Sequence, residues 1–354
     1  MTLTRWNSRM LRRLALAAVG ATLTPMLVAP PAAAGDPDRL DPAALERGSD
    51  PAIAYLVRDT IRDGDLRVPA TTHGRHEALW QVAGGYVVRD YNVGARHLIR
   101  LTFVAPTGER RTIAQSRDWI EVAVSDSGTR LAFLRTLGPT GQRSVVTVTD
   151  PAAGVELASR TMRLAALVAA TDTRVLVARR FHWRHPATQW WSWGRDRLRT
   201  IQHQAAVRAD VGHDRVVFGT PRAGEFCNRV ALLSDPGRTL WRSCRVAPHA
   251  WSPDGTRALL THAYFDAAGT DRWWVVDGET AHRQAQIAGR LDWTAVWEDD
   301  QHVLTLAQGD AGGAAIVRCD VTGSCERASR VWHTPLPTEP SLYYQSPPVV
   351  LARR

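Results

Sequence analysis

The sequence contains no lysine: all 44 basic residues are arginine, against 35 acidic residues, for a net charge of +9. An absence this complete reads as a GC-rich genome rather than as chemistry. The arginines are scattered, without a basic block or a nucleic-acid-binding signature, so no nucleic acid partner is expected. Beyond the first 34 residues no apolar run is long enough to span a bilayer. There is no G-x-S-x-G nucleophile turn of the kind serine hydrolases use. Short C-x₂-C spacings, paired histidines and a glycine-rich phosphate loop are missing too, so neither a metal nor a cofactor is expected.

Cysteine is scarce, with four residues: Cys227, Cys244, Cys319 and Cys325. Four cysteines allow three pairings. Local pattern favours one of them. Cys227 and Cys244 flank the turn signal Ser234-Asp235-Pro236-Gly237, and Cys319 and Cys325 flank Val321-Thr322-Gly323. Each pair then faces across its own hairpin, giving two sequential disulfides, which suits an exported chain.

The N-terminus supports export. Arg5, Arg9, Arg12 and Arg13 precede an apolar stretch, Leu14–Ala29, and the small residues Ala32-Ala33-Ala34. This is a three-part secretory signal with an A-x-A cleavage site, expected over residues 1–34. The competing reading is a retained membrane anchor, which Pro25, Pro30 and Pro31 oppose. Arg12-Arg13 hints at a twin-arginine signal, although the following residues fit it poorly. Loss of the four leader arginines lowers the net charge from +9 to +5. Residues 35–50 form a linker, in which Asp41–Arg47 is predicted as a short capped helix.

The rest of the chain repeats itself. Trp251-Ser252-Pro253-Asp254-Gly255-Thr256-Arg257-Ala258-Leu259-Leu260 sets a tight turn before an apolar strand, and Val124–Phe133 has the same grammar without the proline. Weaker copies anchor on Val87, Val175, Val216 and Val303. Taken in order, the anchors Val87, Leu131, Val175, Val216, Ala258 and Val303 are spaced by 44, 44, 41, 42 and 45 residues. Second strands are predicted at Leu98–Phe103, Ser144–Thr149, Trp190–Trp193, Arg229–Leu233, Arg272–Val276 and Ala314–Arg318. Third strands follow, so each unit holds about four short strands. Such a unit cannot bury both faces alone, and stacking around an axis solves this. Strands at Ile53–Asp59 and Asp65–Pro69, together with Leu342–Leu351, can pair as a composite closing unit. The expected fold is an all-β propeller over residues 51–354: seven blades of four strands, with six blades the alternative.

At Trp251–Leu260 the sequence resembles the WSPDG-type repeat of TolB-like propellers, also described as WD40-like or PD40 repeats. In that family the Asp-Gly turn is structural, and the repeat serves binding proteins and peptidase-associated propellers alike. The resemblance therefore implies a fold and no particular ligand. With only residues 35–50 between the expected leader and the repeat, neither a TolB-type N-terminal domain nor a hydrolase domain is expected.

Candidate functional residues are few. Trp183, Arg184 and His185 fall on the loop between first and second strands, at a rim, and are the binding candidates. Trp190, Trp191, Trp273 and Trp274 fall at equivalent places on second strands and read as packing, with Trp191 and Trp193 on one face. Glu298, Asp299 and Asp300 read as turn acids. His182, His185, His203, His213, His249 and His262 keep no metal-ligand spacing. The leading expectation is an exported, monomeric, non-catalytic binding or scaffold propeller of the envelope or extracellular space, with a protein or glycan partner. A propeller enzyme acting on carbohydrate or lactone, with acids converging at the axis, is one alternative. Glycan recognition through the Trp183 loop is the other.

Overall fold

The structure is a computed structural model that describes residues 39–70, 75–93, 98–137, 142–163, 165–179, 185–222, 225–263, 269–309, 312–333 and 349–353. It is built from short antiparallel sheets. The N-terminal meander is β1 (Tyr55–Val57), β2 (Thr60–Asp63) and β3 (Leu66–Pro69). A four-stranded set follows: β4 (Arg75–Val82), β5 (Gly85–Val93), β6 (Leu98–Val104) and β7 (Arg110–Ser116). The next holds β8 (Ile120–Val124), β9 (Leu131–Leu137), β10 (Arg143–Asp150) and β11 (Val155–Arg163). Then come β12 (Ala165–Ala170), β13 (Arg174–Arg179), β14 (Thr188–Ser192) and β15 (Arg197–Gln202). The fourth set is β16 (Ala206–Asp210), β17 (Arg215–Arg222), β18 (Glu225–Leu232) and β19 (Thr239–Ser243).

Two sets share a long strand. β20 (Val246–Trp251), β21 (Arg257–His262) and β22 (Thr270–Asp277) pair with the first half of β23 (Arg283–Trp297). The second half of β23 begins the next set, with β24 (His302–Gln308), β25 (Gly313–Asp320) and β26 (Cys325–Arg327). β27 (Trp332–His333) adds to β25. The last strand, β28 (Val349–Arg353), pairs antiparallel with β1 and parallel with β4. The two chain ends therefore meet in one sheet, as the composite closing unit required. The N-terminal part supplies three strands where two were expected, because Arg58, at a φ of 52°, turns the chain between β1 and β2.

First strands of successive sets lie against one another: β8 and β16 flank β12, and β20 and β28 flank the second half of β23. They thus gather around a common axis. Between the sets lies the core. Leu134, Val146, Val175 and Trp191 pack in one layer, and Leu176, Trp190, Phe218 and Ala231 in the next. Trp190 and Trp191 are both buried, on opposite faces of β14, and Trp193 packs in the Trp191 layer. Trp273 is fully buried, whereas Trp274 is half-buried.

The repeated turn owes its form to side-chain hydrogen bonds. Ser252 Oγ accepts from Arg257 N at 3.0 Å, and Ser125 Oγ accepts from Arg130 N at 3.1 Å. Asp254 Oδ1 accepts from Thr256 N at 3.0 Å. Gly255 and Gly128 each have a φ of 70°, which the turn demands and other residues resist.

Residues 41–47 do not form the predicted helix. Asp41 starts a turn, with Oδ1 accepting from Ala43 N at 3.0 Å, but the backbone is then drawn into neighbouring strands. Leu40 N donates to Ala288 O, Arg327 N to Glu46 O and Gly48 N to Arg327 O. A helical turn's few internal bonds are replaced by cross-chain pairing. Both disulfides are present, with Cα separations of 3.9 Å for Cys227–Cys244 and 4.1 Å for Cys319–Cys325.

Candidate functional site

Of the expected binding residues, Trp183 and Arg184 lie outside the described residues, and His185 is exposed. The turn acids hold the fold together. Glu298 is buried, takes both Nε and Nη2 of Arg318, and accepts from Ala52 N at 2.5 Å. Asp299 accepts from Gln301 N and His302 N at 2.7 and 2.8 Å, and Asp300 accepts from Asp254 N at 2.8 Å.

Functional groups meet instead on the first strands, where the pairing register breaks repeatedly. The register shifts between His76 and Ala78 in β4, Leu167 and Ala169 in β12, Ala206 and Arg208 in β16, and Pro248 and Ala250 in β20. It shifts again between Leu291 and Ala295 in β23. Such bulges re-aim side chains. They fall at Glu77, Val168, Val207, His249 and Asp292–Thr294, each 7 to 11 residues before the anchor of the next strand.

Four polar residues lie on such first strands: Arg208 on β16, His249 on β20, Asp292 on β23 and Arg353 on β28. Arg208 Nη1 donates to the His249 carbonyl oxygen. The His249 ring lies 4.7 Å from the buried Trp273 ring. Asp292 Oδ1 accepts from Thr294 N at 2.8 Å. The Arg353 guanidinium sits 5.9 Å from the Trp80 ring, whose surroundings also include Arg89 at 5.5 Å. Arg89 is buried, donates to Ile120 O at 3.0 Å, and stacks at 3.9 Å on Trp119, an exposed aromatic at the entry to β8.

Arg208 and Arg353 are exposed, as is the neighbouring Val207. Yet burial is the main cause that lowers both guanidinium pKa values, Arg208 to about 10, with Arg353 adding repulsion to Arg208. A side chain that is wet but hemmed in by protein behaves in this way. Burial, then the positive charges of Arg208 and Arg353, pushes His249 well below its usual value, so its imidazole is neutral; its bond to the Ala295 backbone opposes this weakly. Burial raises the carboxyl pKa of Asp292 against the bonds from Thr294 and the attraction of Arg353. Among the described residues, no carboxylate oxygen lies within 4.0 Å of Arg208 or Arg353. Nor does any group of three or more His, Cys, Asp or Glu there suit a metal ion.

No protein-family model and no curated protein matches the chain. Solved structures do. The acylaminoacyl peptidase of Pyrococcus horikoshii is similar over 77% of this chain and 47% of its own, at 9% identity and a TM-score of 0.52. A puromycin-hydrolyzing peptidase of Mycobacterium tuberculosis is similar over 81% of this chain and 53% of its own, at 15% identity and a TM-score of 0.50. TolB from Acinetobacter baumannii aligns over 73% of this chain and 67% of its own, at 13% identity and a TM-score of 0.47. The fold is a β-propeller. The chain spans about half the length of the two peptidases it matches. In the propeller, each set of strands is a blade, the first strands line the axis, and Arg208, His249, Asp292 and Arg353 lie on those strands.

Two features of this site escaped the sequence reading. His249 stands among histidines that keep no metal-ligand spacing, and Trp119 matches no repeat position. A usable signal existed: Glu77, Arg208, His249 and Asp292 all precede their anchors by 8 to 11 residues, on strands that should be apolar.

Proposed function

We propose that the chain is an exported, non-catalytic binding propeller of seven blades, acting in the cell envelope or extracellular space, with its ligand-contacting face in the axial channel. The observation that carries this reading is the pair of exposed arginines on first strands, Arg208 and Arg353, with no carboxylate oxygen within 4.0 Å among the described residues. Unpaired guanidinium groups in a confined space attract a partner of opposite charge. The chemistry for turnover is sparse. Asp292 accepts from Thr294 N, and among the described residues no hydroxyl or thiol hydrogen-bonds to the His249 ring. Among the described residues, the chain of nucleophile, base and orienting group that covalent catalysis uses is not assembled around His249. Two disulfides and the leader sequence support the exported setting.

One observation favours a second reading, an enzyme acting on carbohydrate or lactone. His249 and Asp292 lie in the same field of Arg353, and the raised Asp292 carboxyl suits a proton donor. A panel of glycans and lactones separates the two. The binding reading expects no turnover by the mature chain, and retention of an envelope component that Arg208→Gln/Arg353→Gln abolishes. Turnover lost in His249→Ala or Asp292→Asn overturns it in favour of the enzyme.

A further inference from the structure

We infer that the seam between two blades holds a binding site for the C-terminal residue of a partner polypeptide, with an aromatic last side chain against Trp274 and the free carboxylate at Arg283 and Arg245. The site is separate from the arginines of the first strands and does not depend on them.

Strand pairing builds the site on one face of the sheet formed by β20 to β23. Val246 lies opposite His262, Leu260 opposite Trp274, Trp274 opposite Gln286, and Val276 opposite Arg283. Residues two apart in a strand share a face, so Leu260 and His262 point the same way, as do Trp274 and Val276. That face packs towards the preceding blade, where Val217, Val230 and Trp241 complete the layer. Trp273 and Val275 belong to the opposite layer. The packing stops short of closure, and a pocket of about 600 Å³ remains, lined by Arg245, Val246, Leu260, Trp274, Val276 and Arg283.

Trp274 is held in place without being covered. Its Nε1 donates to Gln286 Oε1 at 3.3 Å, and the His262 ring meets it at a 77° tilt with centroids 4.8 Å apart. His262 is steadied in turn by Asp271, with Nε2 3.1 Å from Oδ1. The indole nevertheless stays half-buried, whereas Trp273 is fully buried. A ring already fixed loses little freedom when another aromatic group packs on it. The charge is set by the same contacts. Arg283 Nη1 donates to the same Gln286 oxygen at 3.5 Å, so guanidinium and indole are anchored on one atom. Arg245 and Arg283 are exposed, and among the described residues neither has a carboxylate oxygen within 4.0 Å. Such a rim favours an anion and repels a cation, a chain's N-terminus included.

The last residue of a polypeptide carries a side chain and a carboxylate on one Cα, which matches an apolar floor beside guanidinium groups. Sites for free small molecules bury about 70–90% of the ligand surface. This pocket is open to solvent along one side, so it suits an occupant whose body continues outside.

Fluorescence anisotropy with fluorescein-labelled Gly-Ala-Phe, free at its C-terminus, tests the proposal on the mature, oxidised chain. The tripeptide should bind, and its C-terminal amide and Gly-Ala-Ala should each bind at least about tenfold more weakly. 3-Phenylpropanoate, which has the ring and the carboxylate but no chain, should compete at least about tenfold less well. Arg283→Gln should weaken the free acid at least about tenfold and bring it level with the amide, a split that a merely structural role would not produce. Arg245→Gln should narrow the same difference, and Trp274→Ala should weaken acid and amide alike. Arg195→Gln, on an exposed turn, should change nothing. Thermal melts of every variant identify any that fails to fold, and the exposed Arg245 and Arg283 keep the test open if Trp274→Ala does. Absence of tripeptide binding, equal binding of acid and amide by the wild type, or a full preference for the acid in the Arg245→Gln/Arg283→Gln double variant overturns the inference. 3-Phenylpropanoate competing as well as the tripeptide overturns the chain end as occupant in favour of a small aryl acid. Binding lost in Arg208→Gln/Arg353→Gln but kept in Arg245→Gln/Arg283→Gln would place the peptide at the first strands, sinking this site and leaving the binding reading of the propeller standing.

Discussion

His76 is the most exposed weakness in the closure of the ring. It sits on β4 with only 8% of its side chain accessible, its Nδ1 2.5 Å from Asp90 Oδ1 and its Nε2 3.0 Å from Asp59 Oδ1. Asp59 belongs to the turn between β1 and β2, so one imidazole clamps the closing blade to its neighbour. Burial alone would lower the His76 pKa, but the hydrogen bonds and charges of Asp90 and Asp59 together raise it. His76→Ala leaves the wholly buried Asp90 without this partner, a loss of about 3–5 kcal/mol by analogy with broken buried ion pairs. The bond to the half-exposed Asp59 adds at most about 1 kcal/mol. Unfolding entropy near 2.1 cal/mol/K per residue, over roughly 300 residues, converts 3–5 kcal/mol to a fall in Tm of about 5–8 °C. A folded pKa above the unfolded one means that the contribution of protonation is complete below about pH 6.5 and fades as pH rises through the folded value. Urea denaturation of wild type and His76→Ala, from about pH 6 to pH 9, should therefore show a stability gap that narrows with rising pH. The double variant His76→Ala/Asp90→Ala should cost less than the two single changes added. A gap below about 0.5 kcal/mol at pH 6, or one that widens with pH, refutes the clamp.

Three further perturbations follow from the same structure. Arg318→Ala removes a buried guanidinium that holds Glu298, Glu326 and the backbone of Ser49 and Asp50, and should cost about 3–5 kcal/mol while making the chain before β1 more sensitive to protease; unchanged proteolysis would count against that anchoring role. Gly128→Ala places a Cβ 2.8 Å from Ala83 N at a φ of 70°, so the melt should show a loss of at least about 2 kcal/mol, and a neutral result would mean that the turn relaxes freely. Cys227→Ala/Cys244→Ala opens a loop with a sequence separation of 17 and should lower stability by about 3 kcal/mol, while thiol titration of the unfolded, oxidised wild type should find no free cysteine.

The propeller was legible in the chain because its repeat is written in turns. Ser252-Pro253-Asp254-Gly255 carries its own hydrogen bonds, which are local and so visible as spacing. The second strands were placed closely for the same reason: β10, expected at Ser144–Thr149, runs from Arg143 to Asp150. The Trp190-Trp191 pair was assigned to packing by the period of two, and both rings are buried on opposite faces. Failures occurred where tertiary contacts overrode local preference. Asp41-Pro42 has the chemistry of a helix start, yet strand bridges at Arg39–Ala288 and Arg47–Arg327 take that backbone. The composite blade was correctly suspected but its strands were miscounted, since only pairing with β28 reveals that the chain turns at Arg58.

The axial site was hidden for a different reason. Convergence around an axis depends on blades separated by more than 40 residues, and no window of sequence displays it. What sequence could have displayed is misfit. A first strand of a propeller is enclosed by neighbouring blades, so apolar or small residues are its natural content, as in Ala165–Ala170. His249 and Asp292 break that content, and Arg208 joins them in a strand whose flanks, Ala206 and Ala209, are small. Each of these residues lies at or beside a break in register, although the same break also falls at Val168 in the apolar β12, so the break belongs to the repeat and the polar residues to particular blades. Local rules are most informative where a fold breaks them at the same height in several blades, because repetition rules out a single accident of packing. In this propeller that coincidence, rather than the conspicuous tryptophans, picks out the axis.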